Sequence, residues 1–204
     1  MNPLRIGVLA SHGGSNMQAI VDRIAAGRLD ARIVLVISNN SQSGAMERAR
    51  KAGLPTLHLS NLTHPDESAR DAAMRDAMVG AGAELIVLAG YMKHIGPLTL
   101  ERFAGRILNI HPALLPRHGG RGLYGIKPHE SVLASGDAET GPTVHLVDPQ
   151  YDHGPTIRQR RVPVLPGDTP ETLQARVLKE EHEIYSEVIA DIAAGKIELP
   201  IIAQ

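Results

Sequence analysis

Residues 4–27 read LRIGVLASHGGSNMQAIVDRIAAG, and the change of period inside this stretch sets the fold class. Leu4–Leu9 is a largely apolar run of strand length, the pattern of a strand covered on both faces. Ser11-His12-Gly13-Gly14-Ser15 interrupts it, and Asn16–Ala26 then carries apolar residues at helical spacing. The same alternation continues outward. Ile33–Ile37 and Leu85–Ala89 read as strands, and Gly44–Ala52 and Asp66–Gly80 read as helices. Each helix closes on glycine or just before one, as helix C-termini commonly do. Buried strands separated by helices imply parallel crossovers, hence an α/β, Rossmann-like, doubly wound and mostly parallel sheet flanked by helices.

The second half is less regular. Ile107–Ile110 is another buried strand, stopped by Pro112. Residues 117–127, RHGGRGLYGIK, carry four glycines and three cations and cannot form a regular element. Thr143–Val147 and Thr156–Val162 are expected to pair around a loop at 148–155, giving a mixed C-terminal part. A long helix over Thr169–Ala194 follows, with Asp168 and Glu171 spaced as a capping box, Pro170 in its first turn and Gly195 as its stop. No linker-like stretch divides the chain, so a single domain over 1–204 is expected.

Composition narrows the function. Across 204 residues, 21 Lys+Arg balance 22 Asp+Glu for a formal charge of -1, which argues against a partner made of nucleic acid. Four Tyr, one Phe and no Trp leave no base-stacking platform and require an aliphatic core. Without cysteine there is no disulfide, thiolate metal site or cysteine nucleophile. No apolar run approaches the roughly 20 residues that span a bilayer, and the start reads as a strand, not a signal peptide. A cytoplasmic location without a membrane partner is the expectation, and the charge balance leaves a homodimer open.

Four pieces carry chemistry. Gly14, Ser15 and Asn16 stand where a glycine turn opens a helix, so its free amides suit a phosphate, although the turn is neither GxGxxG nor a Walker loop. In Leu108-Asn109-Ile110-His111-Pro112, residues two apart share a strand face, so Asn109 and His111 project together at the strand's C-terminal edge, where open parallel sheets bind ligands. An amide beside an imidazole can hold an oxyanion and move a proton, or cap a turn and fill a half-buried position. Asp152 lies in a turn-rich loop and either bonds its own backbone or faces His111, whose pKa a carboxylate would raise. His145, Asp148, Asp152 and His153 follow no established metal spacing, so no metal is assigned. Glu181 falls on the buried stripe Leu173, Val177, Ile184, Val188, Ile192 and needs a partner, either a ligand hydroxyl or an internal cation.

Taken in order, GGSNMQAI (13–20, counting the first glycine), LAGYM (88–92), NIHPALLP (109–116), TVHLVDPQYDHGP (143–155) and EEHEIY (180–185) span nearly the whole chain. In this it resembles the glycinamide ribonucleotide transformylase family, the folate-dependent phosphoribosylglycinamide formyltransferases of purine biosynthesis. The resemblance implies formyl transfer from 10-formyltetrahydrofolate, a co-substrate, to the amine of glycinamide ribonucleotide. It implies Asn109, His111 and Asp152 as catalytic residues, with Gly14, Ser15 and Asn16 on the phosphate and Glu181 on the ribose. It implies a folate ring between Met92, Lys93, His94, Ile95 and the segment Val147, Asp148, Tyr151, Asp152, with Asn109 at its reacting end. On this reading residues 1–105 form a phosphate-binding parallel half and 106–204 a folate-binding, catalytic half.

Three departures accompany the likeness. His94 replaces a common aliphatic residue, Lys93 a frequent arginine, and Glu67 stands nearest to where the family often places an arginine. The glycine-rich loop 117–127 is long, and Arg121 on it is expected either to cover an anionic ligand or to sit on a plain surface loop. Rival readings are a formyltetrahydrofolate hydrolase, a methionyl-tRNA formyltransferase, a nicotinamide oxidoreductase and a non-catalytic nucleotide-binding protein. The first two are expected to carry an additional domain, and the third lacks its GxGxxG and acidic ribose ligand here, since Ser38-Asn39-Asn40 follow the second strand. The fourth has no use for the Asn109, His111 and Asp152 set.

Overall fold

The structure is a computed structural model and describes residues 2–200. Strand β1 (Leu4–Ala10) runs parallel between β2 (Ala31–Ser38) and β4 (Leu85–Leu88), with β3 (Thr56–His58) outside β2 and β5 (Ile107–His111) outside β4. Two antiparallel strands, β7 (Thr143–Leu146) and β8 (Thr156–Gln159), complete a seven-stranded sheet of order β3-β2-β1-β4-β5-β7-β8. Helices α1 (Ser15–Ala25), α2 (Gly44–Lys51), α3 (Glu67–Gly80), α4 (Pro97–Arg102), α5 (Lys127–Ser135) and α6 (Pro170–Ala193) flank it. The chain leaves β1 toward β2 and β3, then returns to its other side for β4. That reversal is a topological switch point, and it opens a crevice beyond the C-terminal ends of β1 and β4.

The aliphatic core has two layers because the strands are apolar on both faces. On one face Val8, Val87, Leu108 and Ile110 pack with Met17 and Ile20 of α1 and Ile184 and Val188 of α6. On the other, Leu9, Ile37, Ile86 and Ile107 pack with Met74 and Met78 of α3 and Phe103. The fully buried Tyr185 directs its hydroxyl to the carbonyls of both Leu88 and Leu108, at 3.0 Å each. Those carbonyls belong to β4 and β5, so the bond pins α6 over the crevice and fixes where Glu181, one turn earlier, can point. No helix among the described residues is long and apolar enough to cross a membrane.

Two expected boundaries are corrected. The run Thr156–Val162 is not one strand: β8 stops at Gln159, and Val162 belongs to β9 (Val162–Pro163), which pairs with β6 (Glu139–Thr140) in a separate two-stranded sheet. The chain leaves the main sheet where Arg160 passes Gly141, a position at which any Cβ would lie 1.8 Å from the Arg160 carbonyl oxygen. The N-cap of α6 is Thr169, not Asp168. Thr169 and Thr172 exchange side-chain and backbone bonds as the capping box. The Asp168 carboxylate is instead held by the Arg176 guanidinium, two bonds of 2.7 Å, and by the Leu165 N–H.

Candidate active site

A cavity of about 690 Å³ occupies the crevice, and every residue assigned a site role from the sequence lies on its wall. Its floor is made by the loop after β1 and the ends of β4 and β5; loops 120–125 and 147–152 and helix α6 supply the sides.

At one end, Gly14 is the N-cap of α1 with φ 73° and gives no side-chain cap. The helix therefore presents its first amides toward the cavity without an internal competitor. Glycine is required at this position on two counts: the left-handed backbone, and a Cβ that would meet the Ala45 backbone at 2.8 Å. The loop is braced from α2, where Ala45 N–H donates to the His12 carbonyl and Arg48 Nε–H to that of Gly13. Asn16 and Glu181, expected to serve different parts of one ligand, are in contact: Asn16 Nδ2–H donates to Glu181 Oε2 at 2.8 Å. Glu181 is 7% exposed, and burial pushes its pKa up against the lowering effect of that bond. Asn16 Oδ1 is buried without a partner among the described residues. A buried carboxylate and an orphan amide oxygen together form an acceptor pair suited to hydroxyl donors.

At the other end stand the groups brought together from β5 and the loop after β7. Asn109 and His111 do share a strand face, with Leu108 and Ile110 in the opposite core layer. His111 is 3% exposed, with its Nε2 2.8 Å from the His118 carbonyl and its Nδ1 3.4 Å from Asp152 Oδ2. A carbonyl only accepts, so Nε2 carries the proton and the neutral ring turns its Nδ1 lone pair toward the carboxylate. Asp152 is oriented by the Gly120 N–H at 3.0 Å and contacts Asn109 Nδ2 at 3.4 Å. His145, the cross-strand partner of Asn109, accepts from the same Nδ2 at 3.0 Å because its own Nδ1–H is spent on the Leu146 carbonyl.

The expected upward push of Asp152 on the His111 pKa is present, but it is not the largest influence. Burial is the largest influence and brings its pKa below the ordinary 6.5; Asp152 and the His118 carbonyl push upward but do not overcome it. Asp152 itself is raised by burial, yet the polar groups around it, the Gly120 N–H among them, hold it below 3.8. The ligand-free pair is thus a carboxylate facing a neutral imidazole, with room for one proton between them.

In the folate-assigned wall, Met92 N–H is held by Ser11 Oγ at 2.8 Å. His94, a departure from the family pattern, donates Nε2–H to the Pro149 carbonyl at 2.9 Å and meets the Tyr151 ring edge-on, centroids 5.5 Å apart. It lines the cavity and at the same time ties the two walls together, which an aliphatic residue could not do by hydrogen bonding. Glu67 opens α3 and is not on the cavity wall, whereas Arg121 is. Asp148 pairs with His153, turned away from Asp152, so the four residues considered for a metal do not converge. Sequence reading missed His129, which lines the cavity fully buried with neither ring nitrogen partnered among the described residues. Burial, aided by the charge of His111, pushes its pKa down to about 4. It follows the irregular loop at the start of α5, where no periodicity marks a buried position.

The fold and this arrangement define a formyl transferase: residues 4–189 match the family described by that name. The chain is 37% identical to phosphoribosylglycinamide formyltransferase of Haemophilus influenzae over 96% of its own length and 90% of the relative's. It is 41% identical to the chloroplastic phosphoribosylglycinamide formyltransferase of Arabidopsis thaliana over 95% of its length, but spans only 66% of that longer relative. Glycinamide ribonucleotide transformylase 1 of Symbiobacterium toebii superposes with a TM-score of 0.90 at 42% identity, covering 97% of this chain and 91% of that one. The chain belongs to the phosphoribosylglycinamide formyltransferase family.

Proposed function

We propose that this chain transfers the formyl group of 10-formyltetrahydrofolate to the primary amine of glycinamide ribonucleotide. The observation that carries the reading is the convergence of Asn109, His111 and Asp152 in one cavity whose far end presents the α1 amides beside Glu181. Gly14, Ser15 and Asn16 receive the phosphate, Glu181 the ribose hydroxyls, and the folate ring sits between residues 92–95 and 147–152.

The neutral amine attacks the formyl carbon, and the carbonyl oxygen takes the electron pair. Asn109 exchanges its long contact to Asp152 for this oxyanion while His145 keeps the amide aimed. The attacking nitrogen, now cationic, loses a proton through water to the His111–Asp152 pair. The resulting imidazolium faces the oxyanion, and its charge is stabilising only once negative charge has formed. Collapse of the tetrahedral adduct then sends that proton to the departing folate nitrogen. No metal and no covalent enzyme intermediate enters this sequence.

The test is to follow folate deformylation with and without glycinamide ribonucleotide. Turnover that depends on the amine is expected; turnover that ignores it would make the chain a hydrolase, and none would favour a non-catalytic binder. Because His111 must begin neutral, kcat should fall as pH drops through its lowered pKa, with a midpoint below 6.5. A kcat that rises on acidification would contradict the proton assignment. Glu181→Ala is expected to raise the ribonucleotide KM about 10–100-fold, the loss of one charge-assisted contact, and to leave kcat within a few-fold. An unchanged KM would remove Glu181 from substrate binding.

A further inference from the structure

Among the described residues only two other than glycine have positive φ, His118 at 56° and Asp152 at 54°, and they hold His111 from its two sides. Such backbone is rarely adopted by L residues and persists where the surroundings over-determine it. For His118 the surroundings are specific. Its Nε2–H donates to Asp137 Oδ2 at 2.8 Å, which leaves Nδ1 to accept from Ser131 Oγ–H, also at 2.8 Å. Arg117 holds the second oxygen of Asp137 at 2.9 Å. Serine, histidine and aspartate in hydrogen-bonded sequence suggest a nucleophile, but neither His118 nor Ser131 is on the cavity wall. What His118 does present to the site is its carbonyl.

We propose that His118, Ser131 and Asp137 are positioning residues for His111: the clamped ring fixes a strained backbone so that the His118 carbonyl takes the Nε2 proton and leaves Nδ1 open toward Asp152. The other tautomer would put a proton on Nδ1, occupying the place where the amine's proton must arrive. The clamp thus selects the ring state that the reaction needs, and this rests on the catalytic reading given above. The titratable groups around the His111 ring are Asp152 from the loop after β7, His145 from β7, His129 from α5 and His118 itself. The His118 carbonyl bond works in the upward direction on the His111 pKa.

His118→Gly separates the clamp from the backbone, since glycine adopts φ 56° without strain and keeps the carbonyl while losing the ring. We expect kcat to fall at least about tenfold, with both KM values within about twofold, as misplacement of a catalytic group does. The acid limb of kcat should move to lower pH, because an upward influence on His111 is weakened. Ring 15N resonances of ligand-free protein should report the Nε2–H tautomer of His111 in the parent and mixed tautomers in the variant. Asp137→Ala should reproduce the kcat loss, and Asp137→Asn, whose amide oxygen still accepts from Nε2–H, should recover most of it. Parental kcat and unchanged His111 resonances in His118→Gly would overturn the proposal. Should the parent fail to turn over the two substrates, the functional reading falls, and the ring resonances alone still decide the clamp.

Discussion

Asp152→Asn is expected to lower kcat about 10³-fold, roughly 4 kcal/mol of transition-state stabilisation, while both substrates still bind. The substitution is nearly isosteric, and an asparagine oxygen can keep the Gly120 N–H bond that orients the parent side chain. What changes is the face toward His111. There the carboxylate stands 3.4 Å from a lone pair on Nδ1 and invites a proton into the gap. The amide oxygen that keeps the Gly120 N–H is the same atom that faces Nδ1, and being neutral it no longer draws the amine's proton into the gap or holds the imidazolium that results. The transition state loses both the proton route and the imidazolium that would face the oxyanion. The α1 amides and Glu181, proposed to hold the phosphate and ribose, lie at the far end of the cavity, so dissociation constants measured by calorimetry should stay within a few-fold of the parent. A variant that retains a tenth of parental kcat would take Asp152 out of the proton path.

The architecture was legible because its signals are local. Leu4–Ala10, Ala31–Ser38, Leu85–Leu88 and Ile107–His111 are mostly apolar runs of strand length, and glycines follow the helices, so the crossovers could be read directly. The starts of α2 at Gly44 and of α3 beside Asp66 were equally local. Elements that rest on tertiary contacts were not seen. Helix α4 has six residues and is started by the buried Asp71 of α3, whose carboxylate takes the N–H groups of Leu98 and Thr99. Helix α5 follows a glycine-rich loop that hid its start. The site shows the same division. Strand alternation put Asn109 and His111 on one face, but no spacing tells that Asp152 arrives with φ 54°, or that His118, behind the wall, closes on His111. The net direction of the His111 pKa was not legible for a related reason: the partner and its upward influence could be read in sequence, and the burial that outweighs it is a property of the whole fold.

Asn109→Asp supplies the other large effect, and it tests the oxyanion assignment without changing the size of the side chain. The parent amide nitrogen is claimed on two sides by acceptors, His145 Nε2 at 3.0 Å and Asp152 Oδ1 at 3.4 Å. The nitrogen is therefore the atom that points into the site, since an amide oxygen there would face a lone pair and a carboxylate. A second carboxylate at this position removes the donor and sets negative charge beside both Asp152 and the developing oxyanion. Loss of one such donor costs about 10²–10³ in kcat, and repulsion adds to it, so a decrease beyond about 10³-fold is expected. The sign of the accompanying pH effect differs from that in His118→Gly. An added negative charge favours imidazolium, so any residual activity should show an acid limb moved to higher pH as the His111 pKa rises. The two variants therefore displace the same limb in opposite directions, one by weakening a bond to the ring and the other by adding charge beside it. If Asn109→Asp kept more than about a tenth of parental kcat, an oxyanion donor worth about 10²-fold could not be located at Asn109, and the negative charge would have to be met from elsewhere in the cavity.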